Sequence, residues 1–166
     1  MTQSPGTARA HMLSRIRDEQ AAWRVLVDEV GRDRMLEPGP MGDWSFRDLV
    51  VHLLGWRERT IARLEAAAAG REVPPDPWPD GLGSDDGVND WIQEQGRDRS
   101  VADVLADADR SFDRLAAALD AFPDERLTDP GGVPGFEGYP LATTDWLSHW
   151  HVEHEASVRR WLAERA

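Results

Sequence analysis

Cysteine is absent from the 166 residues. That excludes disulfides, a thiolate nucleophile of the chain's own and any cysteine-built zinc knuckle, and makes a reducing cytoplasm the expected compartment. Lysine is absent as well: all 19 basic residues are arginine, against 31 acidic ones, for a formal net charge of −12. A lysine Schiff base is therefore impossible. Direct nucleic-acid binding is not expected, because a phosphate-binding surface needs a positive field. No apolar run approaches the ~20 residues of a membrane span, so no membrane association is expected. The opening MTQSPGTARA has no continuous apolar stretch, unlike a secretory signal. Residues 1–10 are expected to form a disordered lead, with one domain over 11–166. Period-two alternation is missing over any convincing length, which argues against a sheet. Tyrosine occurs once, whereas tryptophan, ordinarily rare, occurs eight times. Indole rings favour cores and ligand pockets.

What is present is helical periodicity. Leu13, Ile16, Trp23, Leu26, Val27 and Val30 recur near the i, i+3, i+4 pattern, and Gly31 stops that helix. After the turn-rich EPGPMGDW, Ser45 is placed as an N-cap with Asp48 three residues on, a near capping box. The helix that follows carries Leu49, Leu53, Trp56, Thr60 and Leu64 and ends near Gly70. REVPPDPWPDGLGSDDG, with four prolines, is a long loop that nevertheless contains Trp78. That indole is placed as a lid, a dimer contact or a ring tucked onto the bundle. A short helical piece, VNDWIQEQ, leads into a clear helix from about Ser100 to Phe122. DPGGVPGFEGYP makes a second connection, and a last helix from Thr143 or Thr144 runs to the end. Four long amphipathic helices with decorated loops imply an all-α four-helix bundle.

SHWHVEH, Ser148 to His154, holds three of the five histidines. At about 100° per residue, with His154 at zero, Leu147, Val158, Trp150 and Trp161 cluster about it, so His154 lies on the apolar stripe. His151 falls about 60° away, still inward, and His149 about 140° away, toward solvent. His52 borders the core side of the second helix, between Leu49 and Trp56. Bundles build sites where facing helices converge, so His52, His151 and His154 could meet as three imidazoles around zinc or another divalent ion. Satisfied core histidines are the plainer alternative.

GDWSFRDLVVHLLGW, Gly42 to Trp56, resembles the G-x-W-S-x-K-D-x-L-x-H-L-x-x-W signature of DinB-like four-helix bundles. VNDWIQEQGRDRSVADVLADADRSFDRL and HVEHEASVRRWL extend the resemblance to nearly the whole chain, in the direction of the ClbS/DfsB branch. The resemblance implies an up-down-down-up bundle, often dimeric. It implies a divalent metal, zinc or nickel, on one second-helix histidine and two fourth-helix histidines spaced i, i+4, or a transferase or isomerase using a low-molecular-weight thiol. For the ClbS type it implies hydrolytic opening of an electrophilic, DNA-alkylating natural product. His52 and His154 match two of the histidines. Four residues from His154 stand Trp150 and Val158, neither a ligand. His151 at i−3, or an Asp145–His149 pair, would have to serve instead. After Trp56, where relatives often have Glu, stands Arg57, followed by Glu58. These departures favour a metal-free site slightly.

The leading expectation is an enzyme that disarms an electrophilic small molecule, with His52 and His154 as acid and base and His151 assisting. Trp44, Trp56 and Trp150 would wall a hydrophobic or planar ligand. A metal- and thiol-dependent transferase is the second reading, and a ligand-sequestering protein without chemistry the third.

Overall fold

The computed structural model describes residues 5–129, 131, 140–143, 147 and 149–164. The architecture is all-α: α1 (Pro5–Val30), α2 (Phe46–Ala68), α3 (Asp85–Gly96), α4 (Val101–Asp120), α5 (Asp124–Leu127) and, after a π-helical turn over Trp150–His154, α6 (Glu155–Ala163). The long helices α1, α2, α4 and the π-turn with α6 make the up-down-down-up bundle, and α3 and α5 decorate its connections. Among the described residues no helix is long and apolar enough to cross a membrane.

The first helix starts earlier than its periodicity suggests. Of the expected disordered lead, residues 1–4 lie outside the described residues, and 5–10 are helical. Arg9 explains this: its guanidinium donates to the carbonyls of Leu119 and Asp120 at 2.6 Å, to that of Phe122, and to Asp124. These tie α1 to the last turn of α4, whose carbonyls lack helical partners. Ala8 and Met12 are buried behind it. At the other end Gly31 adopts φ 73°, a left-handed conformation that only glycine reaches without strain.

A short antiparallel ribbon, β1 (Pro38–Gly39) with β2 (Gly42–Ser45), bridges α1 and α2. It is too short to show period-two alternation, so the sequence concealed it. The expected capping box is present: Asp48 N–H donates to Ser45 Oγ at 3.2 Å and Ser45 N–H to Asp48 Oδ2 at 3.0 Å. Leu49, Leu53 and Leu64 are buried as expected. Val50, Val51 and Leu54 are buried too, because α2 is the central helix, covered by α4 on one side and α3 on another. The α2–α3 contact is close: a Cβ at Gly96 would collide with Val51, and one at Gly55 with Ile92. Of the α4 stripe that the periodicity predicts (Val101, Val104, Leu105, Ala108, Phe112, Leu115 and Leu119), all but the half-buried Val101 and Leu105 are buried.

The proline-rich loop after α2 is pinned by Asp76, which accepts from Arg59 at 2.7 Å and Arg63 at 2.9 Å. Trp78 packs edge-on against Trp56, ring centres 4.9 Å apart, so its ring is tucked onto the bundle. Most of the connection at 129–140 lies outside the described residues, as does Thr144. Thr143 and Leu147 sit in turns, and the described helical residues of the last segment run from His149.

Candidate metal centre

The capping box sets the start of α2, and His52 follows two turns later on its buried side. Burial would raise the Asp48 carboxyl, but hydrogen bonds from Arg47 and Ser45 outweigh it and hold the group below its ordinary range. The cap is therefore an ionised, well-satisfied anchor. His52 is 2% exposed, with the Trp44 ring 5.5 Å away on one side.

Its partners come from the π-turn. Here Glu155 N–H donates to the Trp150 carbonyl, an i→i+5 bond in place of the α-helical i→i+4. Widening the turn by one residue brings positions five apart onto one face. His149, expected to face solvent, is instead turned inward beside His154: their Nε2 atoms lie 3.1 Å apart, and His149 Nε2 lies 3.3 Å from His52 Nε2. His52 and His154 are buried, with ring centres 5.1 Å apart. The candidate ligand atoms of all three fall within 4.8 Å of one another. The sequence signal that points to His149 is the i, i+4 pair implied by the resemblance, with one residue inserted.

The donor set fits a divalent ion. Tetrahedral bonds of about 2.0–2.1 Å to imidazole nitrogen place neighbouring nitrogens about 3.3–3.4 Å apart, close to the separations seen. Without a cation the three nitrogens cannot all be satisfied. His149 Nε2 has one lone pair or one proton, and two neighbours within hydrogen-bond reach. Burial, then the neighbouring histidines, pushes His52 down to about 3. Burial and His149 push His154 down to about 4, although Glu153 opposes this. Burial also lowers His149, with Glu153 opposing and Arg57 adding to the effect. All three are neutral near pH 7, the form that ligates metal.

His151 is not part of this cluster. Its side chain is 45% exposed, with Nδ1 2.7 Å from Glu155 and Nε2 2.8 Å from Glu19 of α1. The widened turn rotates it off the stripe where an unbroken α-helix would have kept it. Partial burial lowers its pKa, but the two carboxylates more than compensate and the net shift is upward. The alternative Asp145–His149 pair involves Asp145, which lies outside the described residues.

Beside His149 a cavity of about 240 Å³ is lined by Glu19, Trp23, Trp56, Arg57, Leu115 and Trp150, among others. Trp56 is oriented by a hydrogen bond from Nε1 to Asn89 of α3 at 2.9 Å, and its ring centre is 6.4 Å from that of His149. Trp150 is buried edge-on against Trp23. Of the three indoles expected to wall a ligand, Trp56 and Trp150 therefore line this cavity, and Trp44 packs on His52 outside its lining. Arg57 was legible only as a departure from the family pattern. Its guanidinium is held in the cavity wall by Ser111 and Phe112 of α4.

The DinB superfamily family model matches residues 6–159. No curated protein and no solved structure gives a match. The helical bundle agrees with that match, and the chain belongs to the DinB superfamily.

Proposed function

We propose that this protein is a divalent-metal-dependent enzyme that adds a water or thiol nucleophile to an electrophilic small molecule. The observation that carries the reading is the convergence of the His52, His149 and His154 Nε2 atoms. A bound ion would supply an electrophilic centre that makes a nucleophile available near neutral pH. The chain's own residues do the rest. His52 and His154, buried and neutral, hold their lone pairs inward. Glu153, whose Oε2 stands 3.6 Å from His149 Nε2, is within reach to take a proton from the nucleophile. Trp23, Trp56 and Trp150 wall the adjoining cavity and limit water there. Any reacting thiol comes from a low-molecular-weight cofactor, since the chain has no cysteine.

This places the metal reading ahead of the metal-free acid–base pair. Imidazoles pushed down to about 3 and 4 are poor proton donors at neutral pH. The ClbS/DfsB branch, whose type opens a reactive natural product hydrolytically and is not a clear metalloenzyme, is supported by VNDWIQEQGRDRSVADVLADADRSFDRL and HVEHEASVRRWL together with GDWSFRDLVVHLLGW, and by the aromatic walls. Elemental analysis is the test. One equivalent of zinc, nickel or a similar ion per chain is expected, with chelation abolishing turnover of an electrophilic substrate. Less than about a tenth of an equivalent after dialysis against excess metal would overturn the proposal. Stoichiometric ligand retention without product would favour sequestration instead.

A further inference from the structure

Arg57 carries a charge that no carboxylate among the described residues pairs with directly. Its Nη1 donates to Ser111 Oγ at 2.8 Å and to the Ala108 carbonyl at 3.4 Å, and its guanidinium carbon lies 3.8 Å over the Phe112 ring. Among the described residues no carboxylate stands within ion-pair distance of it. The two that act on it through space, Glu19 and Glu58, are engaged elsewhere, Glu19 with His151 and Glu58 with Arg114. Burial lowers it to about 10, still far above neutrality, so it remains a cation. A half-buried charge without a direct counter-ion still costs free energy unless something else balances it. Arg57 also lines the same cavity as His149, Trp23, Trp56 and Trp150.

We infer that this cavity takes a small monocarboxylate, whose carboxylate pairs with Arg57 while its apolar or aromatic body lies against Trp23, Trp56 and Trp150. The planar fork of a guanidinium matches a carboxylate with two parallel hydrogen bonds, and desolvated surroundings strengthen the pair. A carboxylate is favoured over a phosphate because Glu19 shares the cavity wall and would repel a dianion more strongly. The inference deepens the proposed function by naming a substrate class. It rests on that reading only for the position of the reacting end, next to His149.

Benzoate and its neutral isostere benzamide are the probes, titrated calorimetrically into chelator-treated protein so that neither can bind an ion. Wild-type protein is expected to prefer benzoate by at least about tenfold, the worth of a charged hydrogen-bonded pair. Arg57→Met is expected to lose that preference, and Arg57→Lys, which keeps the charge without the fork, to retain part of it. Should Arg57→Met fail to fold, phenylglyoxal labelling of wild-type Arg57, mapped by mass spectrometry, reads the same contact. Benzoate should slow the labelling and benzamide should not. Equal affinity for the two probes, undiminished benzoate binding by folded Arg57→Met, or labelling that benzoate leaves unchanged would overturn the inference. A carboxylate preference in protein that never binds metal defeats the metal reading and leaves this one standing. One equivalent of metal with no preference does the reverse.

Discussion

His149 and His151 stand two residues apart and use their nitrogens in opposite ways. His149 turns Nε2 toward two other imidazoles, whereas His151 spans the carboxylates of Glu155 and Glu19. Substitution separates the roles. His149→Ala should weaken metal binding by more than the ~10–100-fold typical of losing an outer partner, measured by competition with a chromogenic chelator. His151→Ala should leave that affinity unchanged. It should instead cost a few tenths of a kcal/mol, small because the site is solvent-screened. The cost depends on pH. The folded-state pKa of His151 lies above its unfolded value, so the contribution is complete below about 6.5 and disappears as pH rises through the folded value. Denaturant midpoints of the two proteins should differ in acid and coincide in alkali. His52 and His154 were readable because each lies on an apolar stripe. His149 was not, since a helical wheel assumes a constant turn.

At the scale of the element, the π-turn carries the site. Trp150–His154 holds one residue more than an α-helical turn, and that residue turns the i, i+4 histidine pair implied by the resemblance into an i, i+5 pair. Val152, 78% exposed within it, can be removed without opening the core. Deleting Val152 should restore an unbroken α-helix with the histidines at i, i+4, still on one face. Metal affinity is then expected to stay within about threefold, less than ~1 kcal/mol. Inserting an alanine after Val152 rotates His154 away from His149 and should remove binding while circular dichroism stays helical. Loss of the metal on deletion as well would show that the widened turn itself is required. The Ser45 cap and the α4 stripe were legible because both are local: a hydroxyl near its own helix and one face repeating along one segment. The burial of Val51 and Leu54 was not, because it depends on α3 covering a second face of α2.

Across the whole molecule, long-range bonds decide what the ends do. Arg9 joins the first helix to the end of α4 through three carbonyls and Asp124. Arg9→Ala should lower stability by ~1–2 kcal/mol, read from urea unfolding, and should fray the first two turns in hydrogen exchange. An unchanged midpoint would mean that burial of Ala8 and Met12 alone holds the segment. Composition and periodicity by themselves determined an all-helical bundle without cysteine or lysine chemistry, with His52 and His154 directed inward, because burying an apolar stripe leaves few other arrangements. Only the tertiary structure decided which third imidazole joins them, that Arg57 lies charged in the cavity wall, and that residues 5–10 are helical. Those outcomes depend on a helix changing its pitch and on contacts between residues some fifty to more than a hundred positions apart, and neither is encoded in any local spacing.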